Sequence, residues 1–295
     1  MANRTIHPDP YYATHRCGEA TITVINDGDV TIPVAAVFAA EEATWLRETG
    51  AADEQGNIVT AQLIVHIAIG DRSIVIDPAF DDPGTAWDRH FAGRWAGVRR
   101  TPGLAAALGA LGIAPDGVTD VIFTHAHDDH FVGALYEADG KLRLRFPHAR
   151  HLIGRADWDG NPRREQPDDD LARRLDALDA LGLLVPIAEE CMVGEGVTIL
   201  PAPGESPGHQ IVRVASQGET FYALGDLFHH ASELVHLDWY SPWNDPATMR
   251  DSRARFLAEA VPSGAVAIFT HARFPGWGRV VRDGAGYRWE ALAAR

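Results

Sequence analysis

A cluster of histidines and aspartates directly behind an apolar segment restricts this chain more than any other feature of its sequence. Residues 118–123 have the length and composition of a buried strand, and the run THAHDDH (124–130) follows at once. Imidazoles and carboxylates crowded into one loop after a strand are ligands that zinc, iron, manganese and cobalt accept. The pattern HxHxDH seldom arises by chance, so it predicts a metal site rather than a solvated polar loop.

Further candidate ligands follow other predicted strands. Asp226 comes after the apolar run 221–224, and His271 comes after the run 266–269. The loop PAPGESPGH (201–209) follows the run 197–200. Because loops at strand ends can meet at one edge of a sheet, ligands from distant parts of the sequence are expected to form one site.

Strand and helix signals alternate along the whole chain. Other apolar runs predict strands at 21–25, 63–69, 73–76, 151–153 and 211–214, whereas residues 104–111, 168–181 and 245–260 carry helix signals. The polar stretch 155–170 is predicted to be a surface loop. Without a long linker or a repeat, the sequence favours one α/β domain over residues 1–295, with roughly the first 20 residues as an extension.

The order of these motifs resembles the metallo-β-lactamase superfamily from about residue 21 to about residue 281. Residues 225–230 (GDLFHH), the later Asp238-Trp239, and Thr270-His271 followed by Phe274-Pro275-Gly276 look like its lactonase and methyl-parathion-hydrolase branch. The resemblance implies an αββα sandwich with a dinuclear metal site at one edge of the sheets. It implies that one metal binds His125 and His127, that the other binds Asp129, His130 and His271, and that Asp226 bridges them.

One position departs from the family pattern. The third histidine usually follows the first Pro-Gly of the loop, and Glu205 stands there in this chain, whereas His209 follows the second Pro-Gly. Either Glu205 supplies an oxygen ligand or His209 replaces it, and we favour Glu205; a purely structural Glu205 is the third interpretation. Two divalent ions are expected, zinc first, with manganese, iron or cobalt as alternatives.

Two such ions would lower the pKa of a shared water from 15.7 toward roughly 7 and so supply hydroxide at neutral pH. Asp129 is expected to orient this nucleophile, and His229 to approach the leaving group as a donor or a binding residue. Aromatic residues near the ligand segments are expected to wall an apolar substrate pocket, with core packing as the alternative: Trp239, Trp243, Phe274 and Trp277.

These features predict a metal-dependent hydrolase that opens a lactone or cleaves a related carboxylic ester. A phosphotriesterase and a non-catalytic metal-binding module are the alternatives. The net charge of -15 argues against nucleic-acid and membrane partners and leaves a small-molecule substrate; a homodimer stays open. With only Cys17 and Cys191 and no apolar leader at the N-terminus, the chain is expected to be cytoplasmic.

Overall fold

A computed structural model describes residues 10–38, 40–95, 97–161 and 169–293 of the chain. Strands dominate this part of the chain. The strands are β1 (Tyr12–Cys17), β2 (Ala20–Pro33), β3 (Asn57–Ile69), β4 (Arg72–Ile76), β5 (Gly97–Arg100), β6 (Asp120–Ile122), β7 (Leu135–Ala138), β8 (Lys141–Leu144), β9 (Arg150–Gly154), β10 (Leu184–Ile187), β11 (Cys191–Gly194), β12 (Val197–Pro201), β13 (Gln210–Ser216), β14 (Glu219–Ala223), β15 (Val266–Ile268), β16 (Trp277–Asp283) and β17 (Gly286–Ala291).

Helices fill the connections between the strands. They are α1 (Ala40–Glu48), α2 (Ala86–Arg94), α3 (Gly103–Leu111), α4 (Asp128–Phe131), α5 (Arg155–Asp159), α6 (Asp170–Ala180) and α7 (Pro246–Ser263). No helix among the described residues is both long and apolar enough to cross a membrane.

The strands form two large sheets. The first sheet has the order β1-β2-β3-β4-β6-β9-β10, with β5 paired to β2, and the second has the order β11-β12-β13-β14-β15-β16-β17. β4, β6, β9 and β10 pair in parallel, as do β14 and β15. Parallel neighbours need crossover connections, and those crossovers supply most of the helices, including α3, α6 and α7.

Side chains alternate between two cores along each strand of the first sheet. Ile74 and Ile76 of β4 face the second sheet, where they join a core that includes Val212 of β13. Val75 faces the opposite side, where Leu108 of α3 and Leu178 of α6 cover the sheet. Successive side chains of a strand point to opposite faces, so near-continuous apolar runs such as β4 belong in a sheet covered on both sides.

The outer face of the second sheet is covered by α7, whose Met249, Phe256 and Leu257 join the core of that sheet. Asp245 caps this helix by accepting hydrogen bonds from the backbone N–H groups of Ala247 and Thr248. The resulting layers are helix, sheet, sheet and helix, which confirms the predicted αββα sandwich.

The structure corrects several predicted boundaries. Within the expected N-terminal extension, Tyr12–Cys17 forms β1, which pairs with β2 and extends the first sheet. The stretch expected as a loop at 155–170 begins with α5 and ends at the start of α6; residues 162–168 of it lie outside the described residues. α7 continues past its predicted end to Ser263, since Pro262 lies in the final turn just before the left-handed Gly264.

Candidate metal centre

The candidate ligands occupy loops that begin where strands end. The loops after β6, β12, β14 and β15 carry, in that order, the run 124–130, Glu205, Asp226 and His271. Parallel pairing of β14 with β15 places two of these strand ends at the same edge of the second sheet. The two sheets thereby bring together polar residues that lie up to about 150 positions apart in the sequence.

The run HxHxDH spans the start of the short helix α4. His127 precedes its first residue and His130 lies in its last turn. The buried rings of His125 and His130 have centroids 4.1 Å apart, and the ring of His127 is 4.4 Å from that of His125. The loop 125–127 and the turn of α4 thus bring the imidazole rings of His125, His127 and His130 close together.

Asp226 lies at the centre of the cluster. Its Oδ2 is 3.1 Å from His271 Nε2, 3.3 Å from His130 Nε2 and 3.9 Å from His125 Nε2. Its Oδ1 is buried and has no hydrogen-bond partner among the described residues. A carboxylate surrounded in this way has the position expected of a bridge between two cations.

Two groups of side chains flank Asp226 and have ligand atoms within 4.8 Å of one another. In the first group, Glu205 Oε1 is 3.2 Å from His127 Nδ1 and 3.9 Å from His125 Nε2. In the second group, Asp129 Oδ1 is 3.7 Å from His130 Nε2, and Asp129 Oδ2 is 3.6 Å from His271 Nε2. Both groups are sets of nitrogen and oxygen donors.

His229 adds a further imidazole beside both carboxylates. Its Nε2 is 3.4 Å from Glu205 Oε2 and 3.5 Å from Asp226 Oδ2, and its ring stacks on that of His271. Its backbone N–H donates to Glu233, a buried carboxylate that is paired with Arg253. His229 is therefore held in the cluster from its backbone side.

The structure does not bring His209 into the cluster as a ligand. Its Nε2 accepts a hydrogen bond from the backbone N–H of Asp226, and its Nδ1 lies 2.9 Å from the carbonyl oxygen of Ala202. With both ring nitrogens engaged by the backbone, His209 ties the loop that carries Glu205 to the loop that carries Asp226.

Opposite charges inside the cluster shift several pKa values against the effect of burial. Burial raises the pKa of Glu205 and of Asp226, but the neighbouring histidines outweigh it and hold both values well below their usual range. Burial lowers the pKa of His229, but the two carboxylates raise it to about 10. Buried carboxylates that stay ionised are the form in which such groups bind cations.

The cluster fits two divalent cations. His125 Nε2, His130 Nε2 and Asp226 Oδ1 are buried without hydrogen-bond partners among the described residues, and all three point into the same group of ligand atoms. Buried polar atoms normally find partners, and two cations that share Asp226 would satisfy all three. The imidazole and carboxylate donors suit zinc, manganese, iron or cobalt.

Sequence reasoning missed Asp77, which supports the cluster from β4. Asp77 Oδ2 is 2.9 Å from His130 Nδ1 and accepts a hydrogen bond from the Thr124 hydroxyl, and Oδ1 accepts from the Thr124 backbone N–H. Its φ of 47° is in the left-handed region that aspartate tolerates. The available signal was an aspartate directly after the apolar run 73–76.

Asp157 of α5 was also missed, because it lies in the stretch predicted to be a loop. Its carboxylate accepts hydrogen bonds from the backbone N–H groups of Ala126 and Gly208 and from the Ser206 hydroxyl. Asp157 therefore joins the loop that carries His125 to the loop that carries Glu205.

A cavity of about 180 Å³ opens over the cluster. One end is lined by the candidate ligands His127, Asp129, Glu205, Asp226 and His271, together with His229. The other end is mainly apolar and is lined by residues of β2, β3 and their surroundings: Val30, Ile32, Val37, Ile58, Phe91 and Trp95. The cavity thus combines the candidate ligands with a mainly apolar wall.

Of the four aromatic residues expected to wall this cavity, only Trp243 does so. Trp277 is buried in β16 and belongs to the core between the sheets. Trp239 packs on Trp45 and His236, and Phe274 lines two other surface clefts. The expectation fails for these three because nearness in sequence to a ligand does not fix the face on which a side chain emerges.

The family model described as "Metallo-beta-lactamase superfamily" matches residues 57–271. The matched range contains every candidate ligand described above. No protein of curated function matches the sequence.

Solved structures resemble the chain over nearly its full length. AidC, described as a dizinc quorum-quenching lactonase, matches with a TM-score of 0.74 and 22% identity over 96% of this chain and 97% of that chain. AbOPH, described as a hydrolase in the beta lactamase superfamily, matches with a TM-score of 0.77 and 20% identity over 98% and 100%. A probable metal-dependent hydrolase from Staphylococcus aureus matches with a TM-score of 0.76 and 19% identity over 95% and 99%. At these identities the likeness establishes the fold.

Proposed function

The chain belongs to the metallo-beta-lactamase superfamily, and from this we propose that it is a metal-dependent hydrolase of lactones that carry an apolar arm. One observation carries the proposal: the ligand cluster forms one end of a cavity whose other end is mainly apolar. A substrate that fits both ends has a polar, hydrolysable ring and an apolar substituent. Related carboxylic esters share these properties.

In this proposal, the first cation is held by His125, His127 and Glu205, and the second by Asp129, His130 and His271. Asp226 lies between the two groups and bridges them. Zinc is the proposed occupant, in keeping with the donor set and with the description of AidC as a dizinc lactonase. When bound, such cations lower the pKa of water and polarise the carbonyl oxygen under attack.

Two residues of the chain are proposed to handle the nucleophile and the leaving group. Asp129, which is partly exposed at the cavity, orients the attacking water and accepts its proton. His229 lines the same cavity and is proposed to donate a proton to the departing alkoxide oxygen. The engaged ring nitrogens of His209 support Glu205, rather than His209, as the ligand of the first cation.

The apolar end of the cavity favours a substrate that carries a neutral acyl chain. Burial of each methylene contributes about 0.8 kcal/mol, which corresponds to about a fourfold increase in kcat/KM until the cavity is filled. A homologous series of acyl lactones, assayed with zinc-loaded and metal-free protein, tests this. We expect metal-dependent turnover that rises with chain length.

A matched pair of variants tests whether the arm occupies this cavity. Ile32 lines the cavity, whereas Val59, on the adjacent strand, does not. Ile32→Ser should flatten the dependence of kcat/KM on chain length, and Val59→Ser should leave it unchanged. Faster metal-dependent turnover of an aryl phosphotriester than of any lactone would favour the phosphotriesterase instead, and no turnover of either would favour a metal-binding module.

A further inference from the structure

Glu205 receives two strong hydrogen bonds from one neighbouring segment. Trp243 Nε1–H donates to Glu205 Oε1 at 2.6 Å, and Asn244 Nδ2–H donates to Oε2 at 2.5 Å. Glu205 is 3% exposed and both hydrogen bonds are partly buried, whereas Trp243 is 47% exposed. Each carboxylate oxygen therefore has one neutral donor on one side and imidazoles of the cluster on the other.

The segment that carries the two donors is itself fixed. Asn244 Oδ1 accepts a hydrogen bond from the backbone N–H of Ser241, which leaves the amide NH₂ directed at Glu205. The backbone N–H of Asp245 donates to the carbonyl oxygen of Gly204, next to Glu205 in sequence. The same Asp245 caps α7, so the long helix anchors the donors.

We propose that Trp243 and Asn244 form a two-donor clamp that allows a carboxylate to serve where a neutral nitrogen ligand would otherwise bind the first cation. This proposal rests on the proposed metal centre and adds positioning residues to it. The clamp fixes the plane of the Glu205 carboxylate, so its removal frees the carboxylate to turn away from the cation.

Hydrogen-bond partners of metal ligands typically contribute a factor of roughly 10 to 100 in metal affinity. Trp243→Phe keeps an aromatic ring but removes the N–H group. Asn244→Asp keeps the acceptor for Ser241 but replaces the donor with a second carboxylate. We expect each variant to lower the affinity for one of the two zinc ions by about 10- to 100-fold and to leave the affinity for the other unchanged.

The measurement is zinc affinity, by competition with a chromophoric chelator in the absence of substrate, together with the absorption spectrum of the cobalt-loaded protein. Trp239→Phe is the matched control, because it removes an indole N–H four residues away without touching Glu205. The decisive comparison repeats both substitutions in a Glu205→His protein. An imidazole offers no oxygen to the clamp, so the substitutions should there change zinc affinity by less than about twofold.

Unchanged zinc affinity in Trp243→Phe and Asn244→Asp would overturn the clamp, as would an equal loss in the Glu205 and Glu205→His backgrounds. The comparison of Trp243→Phe with Trp239→Phe stands whether or not the Glu205→His protein folds, and thermal unfolding of the metal-free proteins checks folding. These measurements use no substrate, so they test the clamp separately from the proposed function. The expected zinc affinities in a protein that opens no lactone would support the clamp and overturn the proposed function.

Discussion

Asp226 illustrates how much of the site depends on one side chain. It lies within 3.9 Å of the imidazoles of His125, His130, His229 and His271 through a single oxygen. Four histidines packed this closely would repel one another when protonated, and a central negative charge offsets that repulsion. His127 pairs with Glu205 of the first group, and its side chain is 42% exposed.

We therefore expect Asp226→Ala to weaken the binding of both metal ions and His127→Ala to weaken mainly the binding of one. Turnover should fall by a factor of roughly 1,000 or more in each variant, because several kcal/mol of charge stabilisation depends on the cations. Metal content after dialysis and kcat/KM measure the two effects. An Asp226→Ala protein that keeps two metals and normal rates would refute the bridging role.

The choice between Glu205 and His209 gives a second prediction at this scale. Glu205→Ala should lose one metal ion, whereas His209→Ala should keep both, since His209 contacts backbone groups. Glu205→His should also keep two ions and shift the preference from manganese toward zinc, because a nitrogen replaces an anionic oxygen. Metal analysis of the three variants checks this, and loss of metal only in His209→Ala would reverse the assignment.

At the scale of elements, strand ends position the site and neighbouring loops hold it. β4 and β6 pair in parallel, so Asp77 at the end of one lies beside Thr124 at the end of the other. Asp77 then fixes the ring of His130 through Nδ1 and leaves Nε2 to face Asp226. The orientation of the candidate ligand His130 in α4 is thus decided by a residue about fifty positions earlier.

We expect Asp77→Ala to lower metal affinity by roughly 10- to 100-fold, because His130 loses the partner that orients its ring. Asp77→Asn should be milder, since an amide oxygen still accepts a hydrogen bond from Thr124. The affinity for zinc and the thermal unfolding of metal-free protein separate loss of orientation from loss of folding. Full metal affinity in Asp77→Ala would show that Asp77 does not support the site.

At the scale of the whole molecule, the first sheet also buries histidines that are not part of the cluster. His151 of β9 is fully buried beside the ring of Phe123, and the side chain of His66 of β3 is hydrogen-bonded to the Ser73 hydroxyl. Burial lowers the pKa of each of these side chains to about 4. Their usual value in an unfolded chain is roughly 6.5.

A lowered histidine pKa means that protonation favours the unfolded chain. The stability that depends on neutral His151 is therefore complete above about pH 6.5 and is lost as the pH falls toward 4, by up to about 3 kcal/mol. His151→Leu should weaken this pH dependence in urea unfolding of metal-free protein, and His148→Leu, at an exposed position, should not. Equal pH dependence in His151→Leu and the unchanged protein would disprove the effect.

The sequence by itself determined the buried strands and the metal-binding chemistry. The apolar run 74–76 of β4 was recognisable because burial on both faces leaves no polar position within the run. Edge strands such as β1, β5 and β17 were missed, because one-sided burial gives a weaker pattern. The run 124–130 was predictable because its ligand atoms lie within a few residues of one another, so local spacing decides their geometry.

Only the tertiary structure decided which distant residues complete the site. Glu205 and His209 have similar positions in one loop, yet the fold turns one toward the histidines and engages the other with backbone groups. Trp243 faces the cavity and Trp277 the core, although both lie near ligands in sequence. Sheet pairing and the packing of helices set these directions, and both depend on contacts between residues that are remote in the chain.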